Sequence, residues 1–465
     1  MEDSIIQKMH SLFNPATVAV VGGSNNSDKL GYHVMKSVTE SGYAGNILPV
    51  NPGSHEVWNI PALSSLTEYS GSVDLAIIVL PSKAVFDIFE QCQEKNVKGI
   101  VLITAGFKEI DDSSGAKMQD ELAEFANKAQ IPVIGPNTFG MINFYHPLNA
   151  SFTPEFSQLR QGNVSLVSQS GGISHLLAFL ALQQNLGLSK IVGLGNRLNV
   201  DFAEMVKYLM DDKDTEIISL YIEGMDQPRD LMDVAQEKKD NKPVVAYKSG
   251  TTDISNQASL SHTGSMAGRQ EIYWGAFLQS GIFPVYSTQD LLDVSKALSI
   301  CSLPKGPKVA VLSGQAGPGI SACDVCYQEG LHIATFSQKT QQRINNVLPP
   351  LALRDNPVDM GPAWYSSESV QEIVRAVIDD PNVDGVIILM MFASANRHTV
   401  PDLSSLLVEL NQTKPLISCF VAPPAIWDQT LNNLESKKVL INFPTPERAG
   451  KALASLWQYK KMMGR

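Results

Sequence analysis

From one end of the chain to the other, short β-branched runs alternate with amphipathic stretches of helix length. A helix that crosses back over a strand brings the next strand in parallel, so this alternation predicts parallel sheets with crossover helices. In the first third the expected strands are 17–21, 47–50, 73–80, 99–104 and 132–134, with helices over 83–95 and 115–129. The rhythm fades over 143–162, which holds Pro147, Pro154 and Gly162, and a first boundary is expected there. A second unit begins with strand 163–167, continues through 216–221 and 243–247, and closes with the amphipathic run 289–301. Ser302-Leu303-Pro304-Lys305-Gly306-Pro307 then reads as a linker before strands at 308–312, 385–391 and 415–421. The expected domains are 1–150, 151–303 and 304–465.

Composition removes several function classes. Charged residues are 18% and hydrophobic ones 44%, which is globular material, and the net charge of −11 lacks the basic face that a nucleic-acid backbone demands. The longest apolar run, 386–393, falls far short of the ~20 residues that span a bilayer. No basic, then apolar, leader follows Met1-Glu2-Asp3, and five cysteines spread over the chain read as reduced thiols, so a cytoplasmic protein is expected.

One internal echo stands out. Val164-Ser-Leu-Val-Ser-Gln-Ser-Gly-Gly-Ile-Ser174 resembles Val309-Ala-Val-Leu-Ser-Gly-Gln-Ala-Gly-Pro-Gly-Ile-Ser321. Each is a strand, a small-residue turn and a helix start, and each opens its unit. The expected fold is α/β, with a Rossmann-like first domain and two flavodoxin-like domains after it. Each of the latter presents a helix N-terminus at the carboxyl end of its first strand, where such sheets bind ligands. A helix start contributes roughly 0.3–1 kcal/mol toward a nearby anion. Ser170, Gly171, Gly317 and Gly319 are therefore anion-site candidates, and tight turns without a ligand are the alternative.

The first domain has its own glycine turn, running from Gly22-Gly23-Ser24 to Lys29-Leu30-Gly31. Glycines let the backbone approach a phosphate closely. The turn is not a G-x-G-x-x-G, and the second strand ends Pro49-Val50-Asn51-Pro52-Gly53 without the acid that holds a ribose, so NAD is disfavoured, and a Rossmann-like turn with no ligand is the alternative.

Of eight histidines, seven, among them His33 and His175 in expected helices, have ordinary surroundings. His262 differs. It lies in the long polar stretch 251–268, within Ser261-His262-Thr263-Gly264, and long loops inside compact domains are often functional. Glu223 ends a buried strand at an edge where α/β sites lie, and its carboxylate could orient a histidine ring as in the catalytic triads; a solvated strand-end acid is the alternative. Cys323 and Cys326 have redox spacing but sit beyond the first turn of their helix, where packing explains them.

Taken in order, these segments resemble the α subunit of ADP-forming acyl-CoA synthetases, relatives of succinyl-CoA synthetase, over essentially the whole chain. The carriers are Asn14-Pro15 with the 22–31 turn, Pro49-Val50-Asn51-Pro52, Ile103-Thr104-Ala105-Gly106-Phe107, Gly135-Pro136-Asn137, and Ser168 through Gly172. Beyond them come Tyr221 through Gly224, the Ser-His-Thr-Gly segment and Asn356-Pro357-Val358-Asp359. The resemblance implies coenzyme A phosphates over Gly23, Ser24 and Lys29, with further contacts at Asn51, Pro81, Thr104 and Asn137. It implies a transient phosphohistidine at His262, Glu223 as its partner, and the helix starts at Ser170-Gly171 and 317–319 as phosphate sites. ATP or ADP with Mg2+ would sit on a separate ATP-grasp β subunit, in an α2β2 assembly acting on a small carboxylic acid. Relatives usually read Thr-Asn-Ala-Gly-Gly-Pro-Gly in the third domain, whereas this chain reads Ser313-Gly314-Gln315-Ala316-Gly317-Pro318-Gly319, near the expected acyl pocket. Trp364 and Tyr365 are expected either to line that pocket or to fill the core. The rival reading is a non-catalytic CoA-binding regulator on the same scaffold, which would need neither His262 nor Glu223.

Overall fold

The computed structural model describes residues 2–237, 242–252, 269–350, 353–410 and 414–464. His262 lies outside the described residues. By packing, the chain forms two compact units, Met1–Leu292 and Asp293–Arg465.

In the first unit β1 (Thr17–Val21), β2 (Asn46–Val50), β3 (Leu75–Ile78), β4 (Gly99–Leu102) and β5 (Val133–Ile134) form a five-stranded parallel sheet in the order β2-β1-β3-β4-β5. Every residue of β1, β3 and β4 is buried, so these strands read as continuous apolar runs. From β1 the chain passes to one side for β2 and returns to the other for β3. Such a reversal opens a crevice at the carboxyl ends of the two strands.

The second sheet of this unit has seven strands. They are β6 (Gly140–Asn143), β7 (Leu148–Ser151), β8 (Gln161–Ser168), β9 (Leu188–Gly193), β10 (Ile217–Ile222), β11 (Val244–Lys248) and β12 (Ile282–Val285). Their order is β12-β11-β10-β8-β9-β6-β7, and the sequence reverses direction between β9 and β10, on either side of β8. The antiparallel β6–β7 pair occupies part of the stretch whose rhythm fades in the sequence. β7 is wholly buried although it reads Leu-Asn-Ala-Ser, because Ser151 Oγ donates to Asn149 Oδ1 (2.6 Å) and Asn149 Nδ2 donates to Thr153 O (3.0 Å). Polar groups that satisfy one another inside a strand erase its hydrophobic alternation.

The second unit holds β13 (Lys308–Ser313), β14 (His332–Ile333), β15 (Val358–Asp359), β16 (Gly385–Met391), β17 (Leu416–Val421) and β18 (Ile441–Asn442). The order is β14-β13-β16-β17-β18, and β15 also pairs with β13. Helix Thr288–Ile300, expected to close the preceding domain, crosses the division between units. Its later residues belong with the third sheet. Lys296 Nζ lies 2.7 Å from Glu435 Oε1, with both groups buried, and Arg448 Nη2 lies 2.6 Å from Asp293 Oδ1. Among the described residues no helix is long and apolar enough to cross a membrane, and no cluster of three His, Cys, Asp or Glu could hold a metal ion.

Candidate active site

A cleft of about 1320 Å³ opens in the first unit, above the ~300–1,000 Å³ usual for small-molecule sites. Its walls come from the carboxyl ends of both sheets of that unit. Ser24, Lys29, Asn51, Pro81, Thr104 and Asn137 line it from the first sheet, and Ser170, Gly171 and Glu223 from the second. Nine of the residues singled out in the sequence thus share one cavity.

At the first sheet, the turn after β1 is built for close approach. Gly22 has φ +96°, and a Cβ there would stand 2.4 Å from Val79 O; a Cβ on Gly31 would stand 2.0 Å from Gly22 O. Only glycine lets helix Leu30–Glu40 start pressed against the turn, and its N-cap, Lys29, makes no side-chain cap. The first N–H groups of that helix are the free donors an anion uses. Gly23 is buried behind the wall, its carbonyl accepting from Asn51 Nδ2 (2.8 Å), so its part is to hold Asn51 in place. Thr104 Oγ1 donates to Leu80 O (2.8 Å), tying the ends of β3 and β4 together. Asn137, at φ +56°, donates its N–H to Thr104 O (2.8 Å).

At the second sheet the organiser is a residue that the sequence left without a role. Gln169 Oε1 accepts from the N–H groups of both Glu223 and Gly224, each at 3.0 Å, while Gln169 N donates to Tyr221 O at 3.2 Å. One side chain thereby fixes the end of β10, and with it Glu223, against the turn after β8. The helix that follows, Gly171–Gln183, has an extended N-cap at Ser170 with no side-chain cap, and a Cβ on Gly171 or Gly172 would meet nothing within 4 Å. Its start is open space beside uncapped donors.

His175, expected to be an ordinary helix residue, also lines the cleft. Its Nδ1 donates to Gly171 O (2.8 Å) and its Nε2 shares a hydrogen bond with Thr153 Oγ1 (2.8 Å), among the rings of Phe139, Phe152, Phe156 and Phe179. It braces the first turn of that helix. Arg197 lines the same cleft, paired with Asp201 (2.8 Å) and Asp226 (3.3 Å).

Behind Glu223 lies Lys248, the last residue of β11, which is buried. Its Nζ donates to Glu223 O (2.8 Å) and to Ser249 O, and stands 4.8 Å from the centre of the Tyr273 ring. Burial pushes its pKa down to about 8, an effect that the Glu223 charge partly offsets.

The echo in the second unit repeats the same local design. Gln315, N-cap of helix Ala316–Gln328, donates through Nε2 to Met391 O (3.4 Å) and accepts at Oε1 from Met391 N (3.3 Å), and makes no side-chain cap. A Cβ on Gly317 would meet nothing within 4 Å, whereas Gly319 is buried, its added Cβ falling 3.1 Å from Ser313 Cβ. Gly317 faces open space and Gly319 packs under the turn. Tyr365 is exposed, so it does not fill the core.

Comparison with known proteins accords with this geometry. A CoA binding domain model matches residues 16–143, and a succinyl-CoA ligase like flavodoxin domain model matches 161–298. The alpha subunit of acetate–CoA ligase [ADP-forming] II from Pyrococcus furiosus is 36% identical over 456 residues, 97% of this chain and 98% of that one. The chain belongs to the α-subunit family of ADP-forming acetate–CoA ligases. The alpha subunit of enzyme I from the same organism is 32% identical over 461 residues, 97% of this chain and 98% of its own. Among solved structures, the chain resembles a dinucleotide-forming acetyl-coenzyme A synthetase of Ca. Korarchaeum cryptofilum in complex with phosphate and ADP. The TM-score is 0.90 at 30% identity, covering 100% of this chain and 98% of that one.

Proposed function

We propose that this chain is the α subunit of an NDP-forming acyl-CoA synthetase that interconverts acyl-CoA, phosphate and ADP with a carboxylic acid, CoA and ATP. The observation that carries the reading is the shared cleft. The glycine turn after β1 and the uncapped helix start beside Glu223 line one cavity, so a long ligand anchored by phosphates at the first can present its reactive end at the second. CoA phosphates are assigned to the turn of Gly23, Ser24 and Lys29, with Asn51, Pro81, Thr104 and Asn137 along the wall.

A phosphate oxygen attacks the thioester carbonyl, the C–S bond breaks, and the CoA thiolate leaves, giving an acyl phosphate. A ring nitrogen of His262 then attacks phosphorus, and the carboxylate leaves with the bridging oxygen. Glu223 accepts the hydrogen bond of the other ring nitrogen, keeping the attacking one free. The uncapped helix start at Ser170-Gly171 suits a phosphoryl group, and so, taken by itself, does the one at Gly317, with Gly319 packed beneath it. ADP takes the phosphoryl group last, and every step runs in both directions. The Pyrococcus relatives are named as α subunits, and this sequence contains no G-x-x-x-x-G-K-[ST]. The nucleotide with Mg2+ is therefore assigned to an ATP-grasp β subunit, in an α2β2 assembly.

The test is mass spectrometry under alkaline conditions after incubating the chain with short acyl-CoAs and phosphate. Phosphorylation is expected at His262 and lost in His262→Ala, with CoA binding retained. Label at another residue, or ATP made by the His262→Ala complex, would overturn the reading.

A further inference from the structure

We infer that Lys248 is a positioning residue of the Glu223 site, clamping the main chain after β10 to that after β11 and placing a positive charge at the strand end that bears the acid. The inference deepens the proposed function and rests on it only where turnover is concerned. Three observations carry it. Lys248 is 4% exposed, and its Nζ bonds two main-chain carbonyls, those of Glu223 and Ser249. Ser249 leads in sequence into the 251–268 stretch that bears His262, so one side chain holds both the acid and the root of the histidine segment.

The third observation is a natural control inside the same chain. Ser168 stands opposite Tyr221 and Ser313 opposite Leu389, so the two units can be aligned by register. Glu223 then corresponds to Met391. Lys248, opposite Ile222, corresponds to Phe420, opposite Met390. The second unit builds the same strand ends with a buried phenylalanine and no ammonium. This fold therefore does not need a lysine here, and the one sheet that has it is the one that carries the acid. A buried cation costs desolvation that an apolar residue would avoid, so its presence calls for a charge that it serves.

The groups around Nζ decide its pH behaviour. Glu223 bears on it from the end of β10 and Tyr273 from helix Gln270–Ser280, and Arg197 with Asp226 lie near Tyr273, whereas Tyr221 and Tyr247 pair with each other one register step before Ile222 and Lys248. Burial raises Tyr221 to about 12 and raises Tyr273 too, so neither ionises where Lys248 does, at about 8. As pH rises through that value the ammonium becomes an amine. It can still donate to both carbonyls, but the charge at the strand end that bears Glu223 is gone.

The experiment uses the assembled complex, with Lys248→Met and Lys248→Arg, measured across the alkaline range. Wild-type kcat is expected to fall with a midpoint near 8. Lys248→Met should lose about 10²-fold in kcat at neutral pH, keep the KM for CoA, and show no such alkaline limb. Lys248→Arg, which stays charged, should recover about tenfold of that loss and move the limb beyond the accessible range. A methionine variant with wild-type kcat, or one that keeps the limb, overturns the inference. A second readout does not depend on turnover. In lysine-labelled protein, the NMR titration of the signal missing from Lys248→Met should have its midpoint near 8 and move lower in Glu223→Gln. An ordinary lysine midpoint, or no response to Glu223→Gln, overturns it as well. A complex that never makes acyl-CoA while this titration behaves as stated would instead sink the proposed function.

Discussion

The turn after β8 and the turn after β13 are two versions of one device. In each, a serine ends the strand and its hydroxyl bonds the carbonyl of the coming helix's N-cap; a glutamine side chain reaches across to the end of the neighbouring strand, and the helix starts uncapped. What differs is the chemistry placed at the end of that neighbouring strand. The first version has Glu223 backed by Lys248, and the second has Met391 backed by Phe420. Backbone geometry thus supplies an anion-ready helix start to both, and two side chains decide which one can also steer a proton or orient a histidine. An uncapped helix start is a binding feature, and a carboxylate beside it makes the site a candidate for catalysis.

The largest effect expected from breaking this difference is at Glu223. Glu223→Gln keeps shape and hydrogen-bonding reach but removes the charge, and turnover should fall by roughly 10²–10⁴, by analogy with the aspartate of a serine-protease triad. CoA affinity should hardly change, because the turn to which CoA is assigned in the proposal is on the other sheet. The register-matched control, Met391→Leu, conserves volume and should change turnover less than about threefold. Steady-state kinetics of both variants in the complex decides. Equal losses would mean that the acid has no special role.

How far this contrast could be read in the sequence depends on which partners are local. The parallel strands were legible because burial on both faces leaves continuous apolar runs such as Val18 to Val21 and Val386 to Met390. The turns were legible because Gly22 and Gly31 have no steric alternative. β7 was not, since its buried Asn149 and Ser151 pair with each other. Helix Thr288–Ile300 reads in the sequence as the close of the second domain, and its ties to Glu435 and Arg448 are not legible there because those residues lie 139 and 155 positions further along. Lys248 looks like any solvated strand end until the register sets it behind Glu223, and Gln169 and His175 gain roles only from partners that folding brings to them. His262 is the converse case, prominent in the sequence and outside the described residues.

A smaller effect should separate the two helix starts themselves. Gly171 and Gly317 both have open space where a Cβ would go, so alanine at either position should leave thermal stability intact or slightly raise it, alanine being the better helix former by about 1 kcal/mol. A loss of function then reports on a ligand that needs the space. Gly171→Ala is expected to raise the KM for phosphate about tenfold, as the loss of one close charged contact would. Gly317→Ala should do the same if the second helix start also holds the phosphoryl group. An unchanged KM in Gly317→Ala would confine phosphate binding to the first unit, and a fall in melting temperature in either variant would mean that the space is needed for packing.

The smallest effect lies in the two glutamines that brace the devices. Gln169→Ala removes the acceptor shared by Glu223 N and Gly224 N, two bonds of 3.0 Å, whereas Gln315→Ala removes a donor and an acceptor at 3.3 and 3.4 Å. Hydrogen bonds weaken as they lengthen toward 3.5 Å, so the first substitution should cost more stability. The cost is limited, because Gln169 borders the cleft and water can take its place on the two N–H groups. A net of about 1 kcal/mol per bond points to a fall in melting temperature of a few degrees for Gln169→Ala and less for Gln315→Ala. Turnover should follow the same order, dropping several-fold where the released strand end carries Glu223 and hardly at all where it carries Met391. Calorimetry and kinetics on the same preparations separate two outcomes. A stability loss without a turnover loss in Gln169→Ala would show that Glu223 keeps its place without the brace, and would leave Lys248 as its sole anchor among those identified.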